Sequence, residues 1–280
     1  MKRILVFSAA VVFILSVFVS CDSSSDESQG GGSAPSTDRS VPLTLEFLSD
    51  GKLSFSTPPS SLRYSTDGGE TKLAYTGEID VSEGTSICIF ADRSSWEDLR
   101  INCTSDCYVY GNVMSLIDMD DYASETEVFE RAFSNLFNGN IYIKNHPTKK
   151  LVLPATELED YCYSYMFCGC TGLTAAPELP ATELEDYCYQ GMFRDCTKLS
   201  SAPALPAETL EDYCYIYMFN GCTELSSISC SATNITTATS PTLNWVTDVA
   251  DSGTFRKPST MNDWTSGDSG IPSGWSTSNL

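Results

Sequence analysis

Histidine and basic residues are scarce in this chain of 280 residues, and each scarcity excludes a class of function. His146 is the only histidine, and it lies in the polar stretch Lys144-Asn145-His146-Pro147 with no nucleophile motif nearby. Lysine and arginine number 16 against 37 acidic residues, which gives a formal net charge of −21. Such a charge repels phosphate backbones and anionic lipid head groups, so we expect no nucleic-acid partner.

Catalytic and metal-binding motifs are also missing. The chain contains no nucleophile elbow, no phosphate-binding loop and no pair of cysteines at zinc-ligand spacing with further ligands to match. Paired carboxylates are plentiful, but they recur at regular positions, as a solvated surface does. We therefore predict a protein that is not an enzyme, with no catalytic residue, no metal and no cofactor.

The N-terminus has the features of an export signal. A basic start, Met1-Lys2-Arg3, precedes an apolar run that ends in Phe18-Val19-Ser20-Cys21, which resembles a bacterial lipoprotein cleavage box. We predict a signal peptide over 1–20 and a lipid on Cys21; an ordinary signal peptide and an uncleaved anchor are the alternatives. Residues 21–40 are rich in serine and glycine and predict a flexible tether.

Short runs of alternating apolar and polar residues dominate 41–110 and are typical of β-strands. One run covers 43–47 and the next covers 53–55. Asp50-Gly51 between them has the chemistry of a hairpin turn. Further strands are predicted near 62–65, 79–81, 87–90 and 108–110. We predict that 41–110 is a small all-β, sandwich-like domain.

Three near-identical units fill residues 153–230. They begin at Leu153, Leu179 and Leu205, a spacing of 26 residues, and each contains LEDYCY, MF and CT at the same positions. A fixed period of this size is the signature of a solenoid, because one unit is too small to bury its own apolar face. Such proteins usually present an extended surface to another molecule.

Helical spacing occurs both before and within the repeats. A capping box at Ser124 and Glu127 precedes apolar residues at i, i+3, i+4, i+7 and i+8, which predicts a helix over 124–138. This helix belongs to a segment, 111–152, that we interpret as an N-terminal cap or divergent repeat. The residues corresponding to 158–166 predict a short helix in each full repeat, followed by an extended stretch.

The C-terminal segment, 231–280, contains four large aromatic residues. They are Trp245, Phe255, Trp264 and Trp275. A repeat stack must protect the apolar surface of its last unit. We therefore predict that this segment is a C-terminal cap.

The 12 cysteines fall into groups according to their position in the sequence. Six lie in two repeated columns, and we predict that these thiols are buried: Cys162, Cys188, Cys214, Cys170, Cys196 and Cys222. Cys103 and Cys107 are separated by three residues, a spacing that allows a small disulfide in an exported protein but does not decide between the disulfide and free thiols. If Cys21 carries a lipid, 11 cysteines remain, so at least one stays free or pairs between molecules.

Two kinds of repeated residue are candidates for a binding surface. The first is an acidic ladder of paired residues: Glu159, Asp160, Glu185, Asp186, Glu211 and Asp212. The second is a column of tyrosines: Tyr163, Tyr189 and Tyr215. Each has a structural alternative, because acids stabilise the positive end of a helix and tyrosines can stack in a core.

The repeats resemble the BspA-like leucine-rich repeat family of bacterial surface proteins. Leu153-Pro154, Met166-Phe167, Cys170 and Leu173 match the family's LP opening and its AF-x-x-C-x-x-L ending, and both later repeats match in the same way. The unit is about three residues longer than the family's usual one. The C-terminal segment resembles the closing segment of one subgroup.

Together with the strand and helix patterns, this resemblance predicts a mixed α/β fold, in which the small β domain is followed by a short leucine-rich-repeat solenoid with capping segments. It also implies a non-enzymatic lipoprotein of the outer membrane, facing the cell surface and anchored by a lipid on Cys21. Adhesion or protein binding would be its role, with an extracellular protein or a host matrix component as the partner. The alternative from the sequence is a carbohydrate-binding protein at the surface or in the periplasm, with a glycan as ligand.

Overall fold

The computed structural model describes residues 38–280, which belong to one compact unit. The predictions for 1–20, for Cys21 and for most of the tether lie outside the described residues. Residues 38–280 contain fourteen strands: β1 (Thr44–Phe47), β2 (Gly51–Ser56), β3 (Arg63–Ser65), β4 (Leu73–Ala74), β5 (Ile79–Val81), β6 (Ser86–Phe90), β7 (Arg100–Cys103), β8 (Cys107–Asn112), β9 (Ile143–Asn145), β10 (Leu151–Val152), β11 (Ala204–Leu205), β12 (Ser227–Cys230), β13 (Thr254–Lys257) and β14 (Ser276–Asn279).

The predicted mixed α/β fold class is wrong. The described residues are nearly all-β, with mixed sheets, and their one helical element is a single 3₁₀ turn, Val113–Leu116. The side chain of Asn112 caps this turn by accepting a hydrogen bond from the Met114 N–H at 3.0 Å. The leucine-rich-repeat solenoid of short helices and extended stretches is not found in these residues either, and the backbone of the repeats gives the reason.

The N-terminal strands lie where the alternating pattern predicts them, but their pairing differs. One sheet has the order β10-β8-β1-β6-β3-β4, with β9 also on β8, and a second sheet has the order β5-β2-β7. The predicted hairpin is wrong, because β1 pairs with β6 and β8 whereas β2 pairs with β5 and β7. Asp50-Gly51 therefore joins two sheets. Both sheets bury their apolar side chains in the same core.

The repeats fold as a succession of turns that bond to the next repeat. The Ser164 N–H donates to the Tyr161 carbonyl within the repeat at 3.0 Å, whereas the Tyr163 and Tyr165 N–H groups donate to the following repeat at 2.9 and 2.8 Å. An α-helix would direct each of these groups to the carbonyl four residues earlier. We call this arrangement, from residue 128 to residue 248, the turn stack.

Backbone dihedral angles show why no helix forms in the turn stack. In the first full repeat, Tyr161, Tyr165 and Gly169 have φ angles of 56°, 52° and 73°. A left-handed residue at every fourth position interrupts a right-handed helix. Arg131 and Asn135 have φ angles of 60° and 62°, so the predicted helix over 124–138 is wrong for the same reason.

Stacked side chains fill the interior of the turn stack. The rings of Phe137, Phe167, Phe193 and Phe219 follow one another with centroids 5.5, 5.5 and 5.9 Å apart. Trp245 continues the column at 6.1 Å from Phe219 and is completely buried. Phe255, Trp264 and Trp275, which the sequence predicts to cover the end of the repeats, are also buried.

Buried thiols form two further columns, as predicted. The six cysteines of these two columns have no exposed surface. The thiols of Cys170, Cys196 and Cys222 lie 3.1, 3.0 and 3.0 Å from carbonyl oxygens of the preceding unit, to which they donate. Each thiol thereby fills a small space and supplies a weak hydrogen bond between units.

Candidate binding surface on the turn stack

The acidic ladder lies on the outside of the turn stack. Glu159, Glu185 and Glu211 are exposed, whereas the three aspartates beside them are half-buried. Asp186 has a structural role, because its carboxylate accepts a hydrogen bond from the Asp212 N–H at 3.1 Å. The glutamates are therefore the members of the ladder that are available to a partner.

Neighbouring carboxylates of the ladder repel the Glu185 carboxylate. Burial and the neighbouring carboxylates of Asp160, Glu159, Glu211 and Asp186 raise the pKa of Glu185 above its ordinary value. A cationic group placed against the ladder would relieve this repulsion. The ladder is thus electrostatically suited to a basic surface.

The tyrosines proposed from the sequence do not face solvent. Tyr163, Tyr189 and Tyr215 are only 1–2% exposed, and their rings stack at 5.7 and 6.0 Å. They belong to the core, which was the structural alternative. They cannot form a binding surface in this conformation.

A second tyrosine column, which was not predicted from the sequence, does reach the surface. Tyr161, Tyr187 and Tyr213 are half-buried, and their rings stack at 4.6 and 4.7 Å. These residues precede the cysteine in each YCY motif, whereas the buried tyrosines follow it. The four-residue period of the turns places the two tyrosines on opposite sides, but a helical period selects nearly the same apolar positions, so no signal in the sequence separates them.

A cation and a tryptophan extend this column. The guanidinium of Arg131 lies 4.7 Å from the Tyr161 ring and 5.7 Å from the Trp96 ring. Trp96 is 47% exposed, which is unusual for so large an apolar side chain. We call Trp96, Arg131, Tyr161, Tyr187 and Tyr213 together the aromatic stripe.

The aromatic stripe and the acidic ladder are neighbours in sequence and in space. Asp160, Asp186 and Asp212 immediately precede the stripe tyrosines. Tryptophan, tyrosine and arginine are the residue types that contribute most to protein–protein binding. Because the tyrosine rings cover one another, their edges rather than their faces are presented to a partner. Trp96 supplies the less covered ring.

His146 lies outside the repeats and is part of a structural cluster. Its ring makes edge contacts with Tyr108 and Tyr110 at 5.2 and 5.1 Å. Its Nδ1 accepts hydrogen bonds from the N–H groups of Thr148 and Lys149. Burial lowers the pKa of His146, with a further contribution from Lys149. Within residues 38–280, no group of three or more His, Cys, Asp or Glu side chains is placed to hold a metal ion.

Comparison with known proteins gives no relative. No family model, no curated protein and no solved structure matches this chain. In the part of the chain that the structure describes, no helix has the length and apolar composition needed to cross a bilayer.

Proposed function

We propose that this protein is a non-enzymatic lipoprotein of the cell surface that binds another protein. The aromatic stripe is the observation that carries the proposal. It combines a 47% exposed tryptophan, a cation between two aromatic rings and a run of stacked tyrosines. The export signal, Cys21 and the motifs resembling BspA-like surface proteins support the same role.

The acidic ladder favours a partner with a basic surface. Its exposed glutamates, Glu159, Glu185 and Glu211, lie beside the stripe and belong to a chain of net charge −21. Complementary charge speeds association and selects the partner more than it strengthens the final complex. An extracellular or host matrix protein with a lysine- and arginine-rich surface is therefore the proposed ligand.

Carbohydrate binding is the second candidate, and Trp96 is the feature that favours it. Sugars stack their apolar face on an open aromatic ring. The stripe tyrosines offer little free face because each ring lies 4.6–4.7 Å from the next. Trp96 alone would be a small platform, so the protein ligand is preferred.

Surface location is tested by treating intact cells that express the protein with protease and blotting for the folded part. Loss of the signal before lysis is the expected result. Protection until the cells are lysed would contradict the surface role and favour a periplasmic one.

Binding is tested with a panel of extracellular matrix proteins and a glycan array. We expect a matrix protein to bind, and Trp96→Ala and Tyr187→Ala to weaken it by about tenfold or more, as hot-spot residues do. Leu73→Ala is the matched control, since Leu73 is 44% exposed on β4, outside the stripe. An equal loss of affinity in the control would refute the role of the aromatic stripe in binding. Binding of glycans alone would favour the second candidate.

A further inference from the structure

A cavity of about 250 Å³ lies beside the β-sheets, away from the aromatic stripe. It opens between the loop before β10, β10 itself and residues 173–180 of the first full repeat. Three leucines and three prolines supply much of its apolar lining: Leu151, Leu153, Leu173, Pro154, Pro177 and Pro180. The leucines are nearly buried, so they form walls and not a loose rim.

Proline explains why the backbone leaves space here. Strand β10 is the last strand of its sheet and pairs with β8. The neighbouring segment, 176–180, contains Pro177 and Pro180, which have no N–H to donate to a strand. Later in the chain, β11 to β14 do form a continuous parallel sheet. The cavity therefore lies where the ladder between successive units is interrupted.

The charges around this cavity have the opposite sign to the chain as a whole. Arg39, Lys149 and Lys150 line it, and Glu178 is the one acidic residue among its lining residues. The chain overall has more than twice as many acidic as basic residues. A cationic rim over an apolar wall suits a ligand that is anionic at one end and apolar at the other.

Local contacts hold the two lysines in place while leaving them accessible. Lys149 Nζ lies 3.3 Å from the Glu46 carboxylate and 4.1 Å from the centre of the Tyr110 ring. Lys150 Nζ lies 2.8 Å from the Glu178 carboxylate. The two lysine side chains are 48% and 50% exposed, so each retains donors for a second partner.

His146 fixes the loop that carries these lysines. Its Nδ1 accepts the Lys149 N–H at 2.9 Å and the Thr148 N–H at 3.1 Å. Nε2 then carries the proton of the neutral ring and lies 3.7 Å from the Glu46 carboxylate. The loop is thus tied to both β1 and β8 before any ligand arrives.

We propose that this cavity binds a small organic carboxylate with an apolar body. The carboxylate would lie at the rim among Arg39, Lys149 and Lys150, and the body would cover the leucines and prolines. Inorganic phosphate would satisfy the cations but leave the apolar wall exposed to water. A neutral molecule of the same shape would cover the apolar wall but gain no charge attraction from Arg39, Lys149 and Lys150.

The test is calorimetric titration of the full chain with hexanoate, with hexanamide as the neutral analogue of the same shape. We expect saturable binding of hexanoate and weaker binding of hexanamide. Lys150→Gln should weaken hexanoate binding by about threefold or more, the effect of losing one half-exposed charge contact. Lys198→Gln, which removes an exposed lysine of the second repeat, should leave hexanoate binding unchanged.

Two further arms separate the ligand classes. Ala176→Phe places a ring in the cavity without altering charge and should abolish binding, with circular dichroism to verify the fold. Inorganic phosphate should bind more weakly than hexanoate. The proposal is overturned if hexanoate does not bind, if hexanamide or phosphate binds as well, or if Lys150→Gln and Lys198→Gln behave alike.

Discussion

The ring of Tyr165 lies over Gly191 of the following repeat. A Cβ atom on Gly191 would stand 2.3 Å from Cε1 and 2.6 Å from Cδ1 of that ring. The residue at the same position of the third repeat is Tyr217. The second repeat thus has glycine at the position where the Tyr165 ring of the first repeat occupies the space of a side chain.

Gly191→Ala should lower the free energy of unfolding by about 1–3 kcal/mol, because the new methyl group meets the Tyr165 ring and the φ angle of Gly191 is left-handed. Urea unfolding measures the change. Gly139→Ala is the matched control: Gly139 has a φ angle of 76°, but a Cβ atom there would have no neighbour within 4 Å, so this variant shows the backbone cost alone. Equal losses at both positions would mean that the ring contact contributes nothing.

Cys188 tests whether the thiol columns are apolar. Its side chain is completely buried, and burial raises the pKa of the thiol well above its ordinary value. Cys188→Ser should cost about 1–3 kcal/mol, since a hydroxyl there lacks a partner. Cys188→Ala should cost less, because it leaves only a small void. Urea unfolding that ranks the serine variant as stable as the alanine variant, or more stable, would show that the column can satisfy a polar group.

Cys103 and Cys107 should form a disulfide under oxidising conditions. Their sulfurs lie 3.6 Å apart, and the Cys107 thiol donates to Cys103, which lowers the pKa of Cys103. Oxidised glutathione should accept the two electrons, and the mass of the protein should fall by two hydrogens. A non-reducing digest should then contain a peptide in which Cys103 and Cys107 are joined by a disulfide. A Cys103→Ala variant is the control. Mixed disulfides with glutathione in place of the internal link would contradict the prediction.

The acidic ladder should make stability depend on pH. Because the pKa of Glu185 is raised in the folded state, folded protein holds this proton more tightly than unfolded protein does. The contribution of Glu185 therefore becomes more favourable as pH falls through the raised pKa, and it is unfavourable at neutral pH. Glu185→Gln should stabilise the protein at pH ~7 by about 0.2–1 kcal/mol, an advantage that disappears below pH ~4.

Thermal unfolding across this pH range measures the effect. Glu224→Gln, at an exposed position of the third repeat outside the ladder, controls for the loss of one negative charge. An advantage of Glu185→Gln that persists unchanged at low pH would show that repulsion within the ladder is not its cause. Added salt should also reduce the advantage at neutral pH.

Helix and turn could not be distinguished from the repeat sequence. Over the residues of 158–166, a helical period of about 3.6 and a period of four select nearly the same apolar positions. The decision rests on the next repeat, whose carbonyl groups accept the N–H groups of Tyr163 and Tyr165. A single repeat has no such acceptors, so its own sequence does not show whether a helix or a succession of turns is more stable.

For the strands too, the local sequence predicted their positions but not their partners. Alternating side chains located β1 and β2, because alternation reflects burial of one face. The Asp50-Gly51 turn then suggested that the two strands pair, yet β1 finds partners in β6 and β8 farther along the chain. Local turn chemistry does not include the energy of those distant contacts.

By itself, the sequence determined the 26-residue period, the buried thiol columns and the burial of the C-terminal aromatic residues, since each follows from side chains that must leave water. Only the tertiary structure decided that Tyr163 turns inward while Tyr161 turns outward. Both tyrosines flank Cys162 and have the same intrinsic preference. The left-handed backbone at Tyr161, fixed by bonds to the next repeat, separates them and so places the aromatic stripe on the surface.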